Sequence, residues 1–302
     1  MAVPYKRFLL AIYNPVVNRL KHYWKWGCVY LIQPWSSCSV CGRSGPKRYA
    51  PEAVPEALIQ MWGLDEDGAR AIRSKESLIC PWCGSKYRGR RLASVLLHEM
   101  SRKSYQYKSL REIACAKESD RQPILILNWI DGLSEILKGV PNVVQTEFFD
   151  GVTSGEIHKG IRHEDAQQLT FPDATFGCVI SSETLEHIPD LEKALSEIRR
   201  VLVPGGFHLF TIPMKNSVER TETRAVLDSD GQIVDQIKPR LHHPGGTWGW
   251  PVFTEFGNDF VEVLRKKGFM VCVDRQELPE LTVSQMSSIC PVFVVSEQSK
   301  SS

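Results

Sequence analysis

The chain has 302 residues, 42% hydrophobic and 24% charged, with a formal net charge of +2. Such a composition is that of an ordinary soluble protein, and the length holds a full α/β domain plus a smaller module. No uninterrupted apolar run approaches about 18 residues, so no membrane span is expected, and no secretory leader is expected because Asn14, Pro15 and Asn18 break the first apolar run.

The near-neutral total hides an asymmetry. Up to Glu118 there are 20 Lys and Arg against nine Asp and Glu, a charge of +11; the rest has 17 against 26, or −9. A basic first third suits an anionic partner such as RNA, a nucleotide-linked substrate or an acidic membrane surface, and equally suits solvated helix faces docked on an acidic domain. Nine cysteines, four of them in CxxC pairs, point to a reducing, cytoplasmic setting and to metal rather than disulfides.

Residues 3–32 mix apolar and aromatic side chains with Arg7, Arg19, Lys21 and Lys25. A basic amphipathic helix of this kind lies on a membrane surface or packs on its own protein. Next come Cys38-Ser39-Val40-Cys41-Gly42 and Cys80-Pro81-Trp82-Cys83-Gly84. Each is a CxxC knuckle whose glycine permits a tight turn, and two knuckles together offer four thiolates to one tetrahedral Zn²⁺, a closed site that stabilises rather than catalyses. Two unrelated thiol pairs, or a redox pair, are the competing readings. Residues 51–73 read as a helical insertion between the knuckles. Residues 88–117 read as a linking helix carrying Arg88, Arg90, Arg91, Arg102, Lys103, Lys108 and Arg111 beside Tyr105 and Tyr107, a solvated face or a nucleic-acid contact.

Pro123 breaks the chain before Ile124-Leu125-Ile126-Leu127, a first buried strand; residues 143–146 and 160–163 are candidates for the second and third. Residues 177–181 form another short, bounded apolar run. Leu191, Leu195, Ile198 and Leu202 then recur at helical spacing behind Asp190, a good N-cap, and Pro204-Gly205-Gly206 ends that helix before a strand over 207–212. Strand, helix and strand in this order give a right-handed crossover in a parallel sheet, whose ligands sit at the carboxyl ends of the strands. A helix over 254–267 and strands over 269–273 and 292–295 complete the pattern, and residues 296–302 read as a disordered tail.

Three segments carry a resemblance: His163-Glu164-Asp165-Ala166 running to Asp173, Phe176-Gly177-Cys178-Val179-Ile180-Ser181, and Glu186-His187-Ile188-Pro189-Asp190 followed by Arg200-Val201-Leu202-Val203-Pro204-Gly205-Gly206. Together they resemble the class I S-adenosylmethionine-dependent methyltransferases of the type 11 group, over roughly residues 124–295. The resemblance implies an α/β, Rossmann-like sheet of seven mostly parallel strands with the last reversed, here joined to a smaller helical, zinc-binding N-terminal module. The organisation expected is 1–118 for the basic module with its linking helix and 119–295 for the methyltransferase domain.

The resemblance also implies a donor site. The glycine-rich turn after the first strand is replaced by Asn128-Trp129-Ile130-Asp131-Gly132, so Asn128, Asp131 and Gly132 are the candidates there, joined by Ser181. Glu147 stands where an acid accepts both ribose hydroxyls, and Asp165 with Ala166 where the adenine amino group is received. Gly177 replaces the group's usual Asp.

For catalysis, in-line methyl transfer from a sulfonium relies mainly on alignment, with a general base when the acceptor is a hydroxyl. His187 is the first candidate base, with Glu183 and Glu186 beside it. The string Glu183-x-x-Glu186-His187 also resembles a divalent-metal site of some ubiquinone-type O-methyltransferases and small-RNA end methyltransferases, which implies Mg²⁺. Arg240-Leu241-His242-His243-Pro244-Gly245-Gly246 is a second region, with His242 as a candidate, and residues 221–236 read as a mobile lid. A small-molecule or saccharide acceptor is the leading expectation. The alternatives are an RNA methyltransferase, against which Ser181-Ser182-Glu183-Thr184 stands in place of an Asn-Pro-Pro-aromatic motif, and a non-catalytic scaffold that kept the fold.

Overall fold

A computed structural model of the chain describes residues 35–102, 106–116, 122–214, 218–243, 249–279 and 290–297. The amphipathic stretch 3–32, Lys103, Tyr105 and the Pro244-Gly245-Gly246 turn lie outside the described residues.

The N-terminal part is built from helices α1 (Glu56–Met61), α2 (Glu66–Ser77), α3 (Tyr87–Arg102) and α4 (Leu110–Cys115) around two short ladders, Ser36–Ser37 on Ser44–Gly45 and Arg48–Tyr49 on Leu78–Ile79. The insertion between the knuckles is thus two helices. Asp65 starts α2 by accepting a 2.8 Å bond from Gly68 N.

The rest is organised on one large sheet, with three short two-stranded pairings beside it; the large sheet comprises β1 (Ile124–Ile126), β2 (Val143–Glu147), β3 (Ile157–His158), β4 (Ile161–His163), β5 (Phe176–Ser182), β6 (Leu202–Thr211), β7 (Phe269–Asp274) and β8 (Val292–Glu297). Their spatial order is β7-β8-β6-β5-β1-β2-β4-β3. Pairing is parallel from β4 through β2, β1 and β5 to β6, and β8 runs antiparallel to both its neighbours. The seven expected strands and the reversed last one are present, and β3 adds an eighth, antiparallel to β4 at the edge. The remaining helices are α5 (Asp131–Leu137), α6 (Leu191–Val201) and α7 (Phe260–Lys266).

Strand alternation divides the core into two layers. Ile124, Ile126, Cys178, Ile180, Leu209 and Val292 face one way, onto Leu92, Val95 and Leu96 of α3 and Leu133 and Leu137 of α5. Leu125, Val179, Phe210, Phe293 and Val295 face the other way, onto α6 and α7. Because α3 belongs to the N-terminal part, the cysteine-bearing segment and the sheet share one hydrophobic layer.

Three expectations need correction, and the stretch expected as a lid takes a definite form. The helix expected over 254–267 is confined to Phe260–Lys266, because Thr254–Glu255 pairs as a strand with Glu222–Thr223. The stretch 221–236, expected as a lid, includes a hairpin of Ala225–Leu227 on Ile233–Asp235, with Asp228 Oδ1 accepting 2.9 Å bonds from Asp230 N and Gln232 N at its tip. Ser296 and Glu297, expected in a disordered tail, belong to β8, which runs to Glu297. Finally, Arg90 and Arg91 are buried rather than on a solvated or phosphate-binding face. Arg90 donates to the Leu78 and Ser85 carbonyls at 3.1 and 2.6 Å, and Arg91 to Asp274 at 2.7 Å.

Gly177 has a packing cause for its departure from the expected Asp. A Cβ there would lie 2.3 Å from Gln122 Cβ, so no side chain fits as the chain enters β1. Gly205, at φ +76, turns the backbone between α6 and the paired part of β6, where the register shifts between Leu202 and Phe207.

Candidate active site

The carboxyl ends of β1, β2, β4 and β5 open into one cavity of about 1800 Å³. That exceeds the roughly 300–1,000 Å³ usual for a single small ligand and leaves room for a donor and an acceptor together.

On the donor side, Glu147 ends β2 and lines this cavity. Its Oε2 accepts from Trp129 N at 2.9 Å, and its Oε1 from Phe148 N at 3.3 Å, so the carboxylate also ties the loop after β1 to the end of β2. Burial raises its pKa above the ordinary value, against the pull of those two amides. Asp165 and Ala166 line the cavity beside it. Asp165 Oδ1 accepts 2.8 Å and 3.1 Å bonds from the backbone and side-chain nitrogens of Gln167, a local turn that fixes the carboxylate.

Asn128 lines the cavity and clamps two strand ends. Its Oδ1 accepts from Ser182 N and its Nδ2 donates to Ser182 O, both at 3.0 Å.

Three expected donor residues stand elsewhere. Ser181 faces the α6–α7 layer, where its Oγ lies 2.9 Å from His208 Nε2; the neighbouring Ser182 lines the cavity instead, as strand alternation requires. Asp131 sits at φ +37 in a charged cluster, with Lys86 Nζ and Arg88 each 3.9 Å away. Gly132 is pressed against the second cysteine knuckle, where a Cβ would lie 2.2 Å from Cys83 O and 2.8 Å from Ser85 N. Gly132 therefore serves helix-to-knuckle packing, and neither it nor Asp131 lines the cavity.

The N-terminal part contributes cavity wall that sequence reasoning missed. Arg88 NH1 donates to Ser182 Oγ at 2.7 Å while its Nε lies 3.0 Å from Glu76, and Lys75 pairs with Glu183 at 2.6 Å. All five residues line the cavity. No local pattern announces these contacts, which span 94 and 108 residues of chain.

The Lys75 pair removes Glu183 from the expected Glu183-Glu186-His187 group. His242 lines the cavity as well, while its neighbour His243 reaches His187. His243 Nδ1 lies 3.2 Å from His187 Nε2 and 3.4 Å from Glu186 Oε1, and His187 Nε2 lies 3.5 Å from Glu186 Oε1. His187 Nδ1 is 2.7 Å from Pro251 O, so that nitrogen carries the proton and Nε2 keeps its lone pair. Burial holds His187 below its ordinary pKa, which keeps the ring neutral. Burial works to raise the Glu186 carboxyl, but a hydrogen bond from His243 leads the opposing contributions, and the net direction is downward.

The four knuckle cysteines converge. Cys38 Sγ lies 3.8 Å from Cys83 Sγ, Cys41 Sγ lies 3.8 Å from Cys80 Sγ, and all four sulfurs lie within 4.8 Å of one another. The knuckles are built alike: Gly42 N donates to Cys38 O and Gly84 N to Cys80 O, with both glycines at positive φ. A sulfur–sulfur edge of about 3.8 Å is what a tetrahedron with metal–sulfur bonds of about 2.3 Å requires.

Strand order, the reversed β8 and a cavity at the carboxyl ends of the parallel strands define the fold of class I methyltransferases. Residues 134–210 match the family described as a methyltransferase domain. The chain is 33% identical over 110 residues, 34% of its length and 43% of the relative's, to the ubiquinone/menaquinone biosynthesis C-methyltransferase UbiE of Saccharophagus degradans. It is 31% identical over 134 residues, 43% of its length and 36% of the relative's, to the sterol 4-C-methyltransferase strm-1 of Caenorhabditis elegans. The matched region thus spans less than half the length of each of these relatives. A crystal structure of an S-adenosylmethionine-dependent methyltransferase from Mesorhizobium loti superposes with a TM-score of 0.38 at 18% identity, covering 61% of this chain and 94% of that one. Among the described residues no helix is long and apolar enough to cross a membrane.

Proposed function

We propose that the chain is an S-adenosylmethionine-dependent methyltransferase acting on a small molecule, a saccharide-type biosynthetic intermediate being the leading class, with Zn²⁺ held by Cys38, Cys41, Cys80 and Cys83. The observation that carries the reading is the convergence of Glu147, Asp165, Ala166, Asn128 and Ser182 on one cavity at the carboxyl ends of β1, β2, β4 and β5. The methyltransferase match over 134–210 supports it, as do the two relatives named as small-molecule C-methyltransferases.

In this reading Glu147 accepts the ribose hydroxyls with the lone pairs its two backbone donors leave free, and Asp165 with Ala166 borders the adenine. Asn128 and Ser182, locked to each other, form the floor beside the reacting end. The bound donor supplies an electrophilic methyl group on sulfur. What the chain supplies is alignment and exclusion of water, and the size of the cavity suits a second molecule beside the donor. The four-thiolate site is closed and none of its cysteines lines the cavity, so the zinc acts as a staple rather than a catalyst. Through the contact of Cys83 O on Gly132 it also sets the position of the loop that stands where a glycine-rich turn is expected.

Calorimetric titration of the purified, zinc-loaded protein with S-adenosylmethionine and with S-adenosylhomocysteine tests the reading. Micromolar binding of both is expected. Absence of binding at millimolar donor, in protein verified as folded, would leave a scaffold with this fold.

A further inference from the structure

Sheet order puts the ends of β5 and β6 on the opposite side of β1 from β2 and β4, whose ends lead into Glu147 and Asp165. Two segments wall the cavity on that opposite side. One is the insertion between the cysteine knuckles. Trp62, just past α1, donates from Nε1 to His242 O at 3.2 Å, and Lys75 of α2 reaches Glu183, the residue after β5, at 2.6 Å. The other is the hairpin of Ala225–Leu227 on Ile233–Asp235. Arg224 N donates to Phe253 O at 2.7 Å and Phe253 N to Glu186 O at 2.8 Å, which fastens the base of the hairpin to the loop after β5.

We propose that the insertion between the knuckles is the acceptor-recognising element of this cavity, and that with the hairpin it takes an acceptor with an apolar alkyl or aryl body and an O–H or N–H beside its methylated atom. The inference rests on the methyltransferase reading and narrows it. A saccharide enters this half of the cavity only as a conjugate whose apolar part fills it.

The insertion closes a small core of its own around Val54, Ile59 and Ala69, on which Leu58, Leu64 and Ile72 pack while staying only partly buried. Those three side chains also line the cavity, together with Trp62. From the hairpin and the ladder after it come Leu227, Ile233 and Trp250, of which Leu227 and Trp250 keep 44% and 38% exposure. Large apolar side chains left open around one concave space mark a binding surface, and an apolar body that covers them gains in proportion to the area removed from water. The charged lining does not call for an ionic acceptor. Lys75 is paired with Glu183, and Lys86 and Arg88 are paired with Glu76.

Glu183 gives the acceptor its orientation. It sits at φ +52, a conformation that side chains with a Cβ rarely adopt, and its backbone N donates to Thr211 O at 3.0 Å, at the end of β6. Lys75 holds its Oε2, whereas its Oε1 is buried without a hydrogen-bond partner, in a residue that lines the cavity. A carboxylate oxygen only accepts, and leaving it unpartnered is costly, so its complement is an O–H or N–H of the molecule bound beside the donor. An apolar enclosure with one placed polar group is the usual construction of a small-molecule site.

Calorimetric titration of the full chain with 4-methyl-, 4-propyl- and 4-hexylphenol, in the presence of S-adenosylhomocysteine, tests the assignment. Affinity should rise about fourfold for each added methylene, and 4-hexylanisole, which lacks the O–H, should bind about tenfold more weakly than 4-hexylphenol. Leu58→Asn and Ile72→Asn should each flatten the series. Leu227→Asn changes an exposed side chain outside the insertion and should reduce the slope as well, so the test stands even where the insertion variants do not fold. Affinity that is level along the series in the wild type, or tighter binding of methyl β-glucoside than of 4-hexylphenol, overturns the apolar acceptor. A slope unaltered in the folded variants overturns the role of these walls, and equal binding of the phenol and the anisole overturns that of Glu183. Titration with S-adenosylhomocysteine alone separates the two claims: its failure to bind sinks the methyltransferase reading, while the alkylphenol series repeated without it still decides the chemistry of the walls.

Discussion

The carbonyl of Cys83 lies directly against Gly132, so that a Cβ on this glycine would come within 2.2 Å of the oxygen. One backbone contact thus joins the cysteine knuckle to the first turn of the helix that follows β1. Neighbouring backbone cannot swing aside as a flexible side chain can. Gly132→Ala is expected to cost about 3 kcal/mol, the upper part of the overpacking range, and to weaken donor binding. Gly89, inside α3, meets only Ile130 Cγ2 at 3.6 Å, so Gly89→Ala should instead gain about 0.5–1 kcal/mol from helix propensity. Urea unfolding of the two variants checks the contrast, and equal stability in both would remove the constraint assigned to Gly132.

The zinc staple is tested through folding rather than activity. Cys38 and Cys80 are fully buried in the layer shared with β1, β5 and β6. Chelation, or Cys80→Ser, should therefore lower the stability of the whole protein and not merely fray its N-terminal part. A thermal scan followed by both tryptophan fluorescence and far-ultraviolet dichroism is the measurement. A transition unchanged by chelator, in protein shown to have lost its metal, would argue against a structural zinc.

Glu147→Ala should weaken S-adenosylhomocysteine binding by roughly 1.5–3 kcal/mol, the contribution of a charged hydrogen-bond acceptor. The same variant leaves Trp129 N without its 2.9 Å partner, so part of the loss would come from a displaced loop. Glu147→Gln keeps an acceptor for Trp129 N and isolates the ribose contribution. Unchanged affinity in both variants would move the donor site away from β2.

Lys75 and Glu183 form an ion pair with side-chain exposures of only 7% and 18%. Burial acts most strongly, to lower the Lys75 pKa, but the nearby carboxylates, Glu183 first and Glu76 after it, together carry the net direction upward. The pair's stabilisation is therefore fully present below the unfolded lysine value of about 10.4 and lost only as pH rises through the higher folded value. Lys75→Met should cost about 3–5 kcal/mol near neutral pH by stranding Glu183, and adding Glu183→Gln should recover much of it. Chemical denaturation of both variants measures the difference, and a loss no smaller in the double variant would assign the cost to packing instead.

His208 supplies acid sensitivity. Burial alone pushes its pKa down to about 3, while the unfolded chain titrates near 6.5. Between those values the unfolded state binds more protons, so stability must fall as pH drops, by roughly 1.4 kcal/mol per unit at most. His208→Gln still reaches Ser181 Oγ and removes that titration. Its stability should decline less steeply than the wild type's from pH 6 to pH 4, and parallel curves would place the acid sensitivity elsewhere.

How much of this was legible in the sequence depends on the range of the interaction. The helix over Leu191–Val201 could be read because its start is a local event: Asp190 Oδ1 accepts from Lys193 N at 2.9 Å, three residues on. The knuckles could be read because each glycine turn closes within five residues. Ser181 and Ser182 could not be told apart, since a one-residue uncertainty in where a strand ends exchanges its two faces.

The reversed last strand and the acid at the end of β2 were implied only by the resemblance to class I methyltransferases. Periodicity, caps and paired cysteines by themselves determined the strand–helix–strand core and the two glycine-turned knuckles. Each is encoded over a few residues, where backbone geometry leaves little choice. Only the tertiary structure decided that Arg88 and Lys75 face the cavity, that Gly132 serves a knuckle, and that His243 rather than His242 joins Glu186 and His187. Those outcomes depend on which segments pack together across 50 or more residues, and burial of apolar surface, being non-directional, writes no local signature of its partner.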